Sequence, residues 1–479
     1  MTSAALISRL AVVASSLLAI AVGLRTLTPR PLVLATLLVV FVGAAAAARS
    51  RFQTTAKIIL LFTYVSYGIA RLVGGPDLAA IPFWLAGLIG LVLGGIPWTR
   101  WQAVDGWRVP LAWWATTVAI TWPAFAAREL GYSHALSSAA NPIVTAALLQ
   151  MSIALWMDHL LAADGERQAP RPGATDPWWS GPLLASATVT ALAAVYQHVF
   201  DFTWLSHEPW VTLQRSVGLM GDANPMGVAT AVWAPLAWTM AGRGLAGTGL
   251  RAVALLLWAA AWFSGARTTL VLIMGGAVGL ALVWANGRNL SRRAILAAAA
   301  AAGVLVVGSV AIVAPRAAPG TPVGRLLGGS ISTSSLGDAT YELFWRRDGY
   351  GLAAVEAIRE HPIVGVGVGR FFDLSPTYHQ RAGGRAIPPD NAQNFWRQHL
   401  AEQGVLGLLP ILWLTFLAAR SLLGPLTDRG DLMRRVVLAS LGVALMFGYP
   451  LQDAGIAVTV ATLAATLGRA RHLRAERAS

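Results

Sequence analysis

"TTLVLIMGGAVGLALVW", residues 268–284, carries no charge and hardly a polar atom. A run this long and this apolar has one economical home, a helix crossing a bilayer, which needs about 20 residues. Runs of similar character recur along the chain: Ala5–Leu24, Pro31–Ala48, Ile58–Val73, Ala79–Ile96, Pro110–Phe125, Pro142–Ala162, Pro182–Val199, Pro225–Met240, Leu250–Phe263, Ala294–Val313, Gly404–Ala419, Val436–Phe447 and Gly455–Leu467. The expected fold class is therefore all-α, a polytopic membrane helix bundle of about 12–14 spans, with one helical module facing outward. Composition agrees. The 479 residues are 56% hydrophobic and 12% charged, with mean hydropathy +0.59, whereas soluble domains carry about twice that charged fraction. No small-residue cleavage site follows Ala5–Leu24, so it reads as a first span and not a removed signal peptide.

Charge orients the spans. With a cytoplasmic N-terminus, Arg49, Arg51, Lys57, Arg100, Arg108, Arg243, Arg251, Arg288, Arg420, Arg429, Arg434 and Arg435 fall on one side, as does the basic tail from Arg469. That is the positive-inside pattern. It accounts for much of the +14 net charge without nucleic acid as a partner. The sequence has no cysteine, which excludes disulfides, thiolate metal sites and a cysteine nucleophile. The expected domains are residues 1–313 as an N-terminal transmembrane bundle, 314–403 as a periplasmic helical module, and 404–479 as C-terminal transmembrane helices with a cytoplasmic tail.

Three outward segments hold the residues able to do chemistry. "QRSVGLMGDANPMG" (Gln214–Gly227) places Arg215 shortly before Asp222 and Asn224, where Asp222 or Asn224 followed by Pro225 reads as a capped helix start. "FSGARTTL" (Phe263–Leu270) puts Arg267 at another span mouth. Arginines on the outward side run against the topology rule. Two at neighbouring mouths ask for an anionic partner, and guanidinium suits bidentate phosphate binding. "EAIREHPIVGVGVGRFF" (Glu356–Phe372) carries Gly365, Gly367 and Gly369 outside any βαβ unit, so a dinucleotide site is rejected in favour of a tight loop at a close backbone approach. His361 reads as structural. "IPPDNAQNFWRQHLAEQGVLGLLP" (Ile387–Pro410) reads as a proline-directed turn, a cap at Asp390 or Asn391, a polar helix and a break at Gly404. Helical spacing would set Gln393 beside Arg397 and Asn394 beside Gln398.

These motifs, in this order and on one membrane side, resemble the O-antigen ligase and polymerase superfamily of bacterial membrane glycosyltransferases. Asn394, Gln398, Leu400, Ala401, Glu402 and Gly404 fall on the superfamily's helix pattern; Arg397 stands where leucine is usual. The resemblance covers roughly 213–409. It implies transfer of a glycan from an undecaprenyl-diphosphate carrier to an acceptor hydroxyl at the outer leaflet of the inner membrane, with the active site facing the periplasm. The acceptor would be lipid A core for a ligase, a further glycan repeat for a polymerase, or a protein hydroxyl for an oligosaccharyltransferase. The ligase is slightly preferred, and no cofactor or metal is expected. Arg215 and Arg267 would bind the donor diphosphate. Gln393, Asn394, Asp390 and Glu402 would form the catalytic group, with Asn224, Arg397, Gln398, Gly365 and Gly367 in support.

One departure matters. Gln393 occupies the position of the superfamily's histidine base, and an amide cannot accept a proton at working pH. Three readings stand. Gln393 is an introduced replacement; or the base lies elsewhere, with Asp390, Glu402 or His399 nearby; or the site no longer catalyses. Two other classes also stand: a transporter of lipid-linked glycan, which would show inverted repeats, and an inactive envelope-assembly partner.

Overall fold

The computed structural model describes residues 31–74, 178–242, 244–286, 349–423 and 428–478, with isolated positions between 87 and 118 and between 341 and 346. The expected spans Ala5–Leu24, Pro142–Ala162 and Ala294–Val313 lie outside the described residues. Among those described, the regular elements are helices. They are α1 (Pro31–Leu61), α2 (Ser66–Gly74), α3 (Ser180–Val199), α4 (Ala223–Met240), α5 (Leu245–Phe263), α6 (Arg267–Asn286), α7 (Tyr350–Glu360), α8 (Phe371–Arg381), α9 (Phe395–Leu422), α10 (Arg429–Ala444) and α11 (Ala454–Ala478). α5, α6 and α9 are long and apolar enough to cross a membrane. This is a helical membrane bundle.

α4 is the axis. Its residues from Ala223 to Ala237 are almost all buried, as expected of a helix apolar all round, and it packs against α3, α5, α6, α10 and α11. By contrast, α9 leaves Val405, Leu406, Leu409, Leu412 and Phe416 exposed, a stripe suited to lipid. α7 and α8 pack together and onto α9 around a small separate core of Ala353, Ala357, Phe371, Tyr378, Ala392 and Ala401.

The expected span Ile58–Val73 is not one helix. α1 ends at Leu61 and α2 starts at Ser66, because Tyr64 is drawn into the bundle. Its backbone N–H donates to Ser186 Oγ at 2.9 Å, Trp233 Nε1 donates to its hydroxyl at 3.0 Å, and that hydroxyl also pairs with Thr459 Oγ1. These bonds tie α3, α4 and α11 to the turn and compete with continuation of the helix.

α9 breaks at Gly404, whose φ of 61° and ψ of −164° is a region essentially reserved for glycine. A helix break strands backbone donors and acceptors, and here the segment 362–367 takes them up. Val366 and Gly367 N–H donate to the carbonyls of Ala401 and Glu402, both at 2.8 Å. Val405 and Leu406 N–H donate to the carbonyls of Pro362 and Ile363, at 2.9 and 3.1 Å. The glycines of the loop follow from this docking: Gly365, Gly367 and Gly369 all have positive φ, and a Cβ on Gly365 would sit 2.2 Å from the Glu402 carbonyl carbon. The close approach expected of this loop is to another helix.

Gly404→Ala would force a disfavoured backbone and place a methyl 2.2 Å from Ile363. We expect a loss of about 2–4 kcal/mol, combining backbone strain and overpacking. Gly442→Ala, where an added Cβ meets nothing within 4 Å, is the control. Thermal melting in detergent separates the two, and equal melting points would refute the account of the break.

Candidate functional site

The site forms where four helices begin. Asp222 caps α4, its carboxylate accepting the Asn224 N–H at 2.7 Å. Arg267 opens α6. Asn394 caps α9, accepting the Arg397 N–H at 3.0 Å. Asp453 stands before α11 and accepts the Ile456 N–H at 3.0 Å. Helix N-termini carry partial positive charge and exposed N–H groups, so gathering them favours an anion.

The turn 445–450 is their common support. Asn394 Nδ2 donates to the Met446 carbonyl at 2.9 Å, and Phe395 N–H donates to the Leu445 carbonyl at 3.0 Å. On its other side, a Cβ on Gly448 would lie 2.7 Å from the Thr268 methyl, so the mouth of α6 abuts the same turn.

Arg215 is 1% exposed. Its Nε donates to the Ser264 carbonyl at 2.6 Å, and one Nη donates to Asn224 Oδ1 at 2.7 Å. The guanidinium also stacks over Trp210, 4.7 Å from the ring centre. Arg215 thus binds the α5–α6 turn to the α4 mouth and sets the position of Arg267, itself half-buried. Sequence reading does not pick out the residues that hold this loop in turn. Gln197 of α3 is buried and fully used: its amide donates to the carbonyls of Trp204 and Gly218 and accepts N–H from Val217 and Gly218. A glutamine in an apolar run is the signal that could have found it.

The segment before α9 corrects the expectation of a cap at Asp390 or Asn391. The helix begins at Phe395, and Gln393 precedes it with φ of 52°, so Gln393 does not share a helical face with Arg397. Tertiary bonds to Met446 and Leu445 decide where the helix starts. The turn is held from within: Gln393 N–H donates to Asn391 Oδ1 at 2.9 Å, and Gln393 Nε2 donates to Asp390 Oδ2 at 2.7 Å. Asp390 N–H donates to Ser375 Oγ at 3.1 Å, while Asn391 Nδ2 donates to Gln452 Oε1 at 3.2 Å. Gln452 precedes Asp453, a second part of the site that sequence reading misses.

Two expected neighbours point elsewhere. Glu402 is 2% exposed and accepts from Gln398 Nε2 at 2.8 Å and from the N–H of Gly369 and Phe371. Gln398 in turn accepts the Ala392 N–H at 2.6 Å. The Gln398–Glu402 pair therefore ties the glycine loop to the 390–394 turn. His399 is buried between Phe395 and Tyr449, with Nδ1 accepting from Gln403 at 3.0 Å. Arg397 reaches outward to the Trp345 carbonyl at 2.6 Å.

Carboxyls stand at two of these helix starts. The Asp222 carboxyl is pushed up to about 6, first by burial; the Asn224 N–H and Arg215 pull it down and Asp390 adds to the rise. Asp453 is also pushed up to about 6 by burial, with Asp222 contributing. Asp222 thus interacts with both Asp390 and Asp453. Among the described residues, however, no three His, Asp or Glu side chains are grouped as a metal site would need.

Residues 252–412 match the family model described as O-antigen ligase. This similarity supports the resemblance of the segment to the O-antigen ligase and polymerase superfamily. The matched segment contains Arg267, the glycine loop, the 390–394 turn and the break at Gly404. No curated protein matches the chain.

Asp222 and Asp453 each bind a proton more readily folded than unfolded. Their contribution to stability is therefore lost as pH rises from 3.8 toward about 6, and the loss is complete above that. Asp222→Asn keeps a capping side chain and removes the buried charge. We expect it to raise the melting temperature at pH 7.5, with the gain shrinking by pH 5. A gain independent of pH would contradict the assignment.

Proposed function

We propose that the chain transfers a glycan from a polyprenyl-diphosphate carrier to an acceptor hydroxyl, with Asp390 as the proton acceptor. One observation carries the reading: Thr268, beside Arg267 at the mouth of α6, and Asn394 and Phe395, beside the Asp390–Gln393 pair, all meet the same turn, 445–450. A cationic group and a carboxylate on one frame are what displacement of a diphosphate by a hydroxyl requires.

In this mechanism Arg267 contacts the diphosphate, and Arg215 acts behind it by fixing the Ser264–Arg267 turn. The acceptor oxygen forms its bond to the anomeric carbon as the bond to the diphosphate oxygen breaks, and the lipid diphosphate leaves with the electron pair. Guanidinium and the gathered helix N-termini stabilise the charge growing on it. The acceptor's proton passes to Asp390. Gln393 holds that carboxylate through its amide and can hydrogen-bond a sugar hydroxyl, while taking no proton itself. Asn394 and Gln398 set the geometry of the turn.

The match to the family model described as O-antigen ligase supports reading the chain as a ligase acting at the periplasmic face of the inner membrane, with a lipid A core acceptor. Polymerase and protein-glycosylating activities would use the same constellation. The positive-inside pattern supports this orientation, since Arg251, Arg429, Arg434 and Arg435 cluster at the opposite end of the bundle.

The test is transfer activity of the purified protein with lipid-linked glycan and acceptor. Asp390→Asn should lower the rate by about 10²–10⁴-fold, the usual worth of general base catalysis. Arg267→Ala should weaken donor binding as well as rate. Gln393→His should retain activity, because histidine tolerates the left-handed backbone better than most residues. Full activity in Asp390→Asn, or unchanged donor affinity in Arg267→Ala, would sink the proposal.

A further inference from the structure

α4 runs from the site to the other end of the bundle. Its 18 residues carry it about 27 Å at 1.5 Å per residue. At that far end lies a cavity of about 350 Å³ between the start of α3, the end of α4 and the start of α10. Trp179, Trp233 and Leu236 form its apolar wall, and Asp428, Arg429 and Arg434 form its polar side.

The two adjacent arginines of α10 differ sharply. Arg435 is satisfied: it donates to Asp431 Oδ2 at 3.0 Å and to the Leu422 carbonyl at 2.8 Å. Arg434 is not. Its Nε is buried with no hydrogen-bond partner among the described residues, and its Nη2 lies 3.8 Å from Asp428 Oδ1, beyond hydrogen-bond range. That Asp428 oxygen already accepts the Asp431 N–H at 2.7 Å as the cap of α10. A buried guanidinium N–H left unpaired is costly, and here it borders a cavity large enough to hold its missing partner.

We propose that this cavity binds the phosphate headgroup of an anionic membrane lipid. Arg434 takes the phosphate with Arg429 at the rim, and the tryptophan wall covers the glycerol and first acyl carbons. Three observations favour a lipid over a soluble anion. The wall opposite the arginines is aromatic and aliphatic. Leu245, three residues beyond the cavity-lining Gly242, is 92% exposed, as suits a lipid boundary. The arginines at this end also match the cytoplasmic-side charge pattern, where basic pockets between spans take anionic headgroups. The site is distinct from the transfer site and makes no use of Arg215, Arg267 or Asp390.

Native mass spectrometry of the full chain in detergent provides the test, using phosphatidylglycerol, phosphatidylcholine and soluble glycerol 3-phosphate as probes. The unaltered protein should keep phosphatidylglycerol under collisional activation, in preference to phosphatidylcholine. Arg434→Gln should reduce that retention about tenfold, the worth of one charge-assisted hydrogen bond. Gly242→Trp, at a lining position where an added Cβ meets nothing within 4 Å, should fill the cavity and do the same while leaving Arg434 intact. Arg51→Gln, on the exposed kink of α1, should change nothing. Equal retention of the two lipids, undiminished phosphatidylglycerol on both cavity variants, or displacement of the lipid by equimolar glycerol 3-phosphate would each overturn the proposal.

Discussion

A helix that breaks at a membrane boundary must find partners for the backbone groups it exposes. α9 breaks at Gly404, and the loop 362–367 supplies two donors and two acceptors to the severed ladder. Much of the architecture at this end of the bundle hangs on this exchange. It fixes the direction of Phe395–Gln403 relative to the span that follows. It brings the loop close enough for the Glu402 carboxylate to accept the N–H of Gly369 and Phe371. Through Glu402 and Gln398 it reaches the Ala392 N–H, and so the turn that carries Asp390 and Gln393. Four of the superfamily-pattern residues thus serve one purpose: Asn394, Gln398, Glu402 and Gly404 build the frame and leave the neighbouring turn to face the site.

The same economy appears on the other side. Arg215, outward-facing by sequence, is spent on Ser264 and Asn224. A buried cation needs acceptors, and the two it finds lie on separate span mouths, so desolvating the guanidinium joins them. Asp222 and Asp453 each neutralise part of a helix N-terminus by capping it, at the cost of placing carboxyls near one another and near Asp390. Burial raises both to about 6, so the acidic side of the site sheds charge as pH falls through that value. Below that pH a phosphate-bearing ligand would meet less repulsion than a count of carboxylates suggests.

Much of this was legible in the residues. Apolar runs announced a membrane bundle, and runs such as Thr268–Trp284 and Pro225–Met240 fall within α6 and α4. Gly404 announced its break, because no other residue suits that backbone. What stayed hidden depended on partners distant in sequence. The cap at Asn394, in place of Asp390, follows from carbonyls at Leu445 and Met446, some fifty residues on. The burial of Glu402 and His399 follows from which face of α9 the loop and Tyr449 cover. The break between Leu61 and Ser66 follows from a serine on α3 and a tryptophan on α4. Local pattern cannot carry such information, since propensity is only a weak prior against tertiary contact.

Gln393 gathers these points. Its backbone sits at a positive φ that glutamine seldom adopts, and a tight turn is among the places where such a conformation is found. Two bonds hold it there, one from its N–H to Asn391 and one from its amide to Asp390. The second does more than stabilise the turn: it orients one carboxylate oxygen of Asp390 and leaves the proton-accepting capacity on the carboxylate. A histidine at this position would unite holding and accepting in one ring. With glutamine the proposed mechanism separates the two tasks, the amide doing the holding and the carboxylate the accepting. In the proposed mechanism the departure from the superfamily pattern does not empty the site of a base; it moves the base three residues back along the chain, onto a side chain that this same glutamine holds.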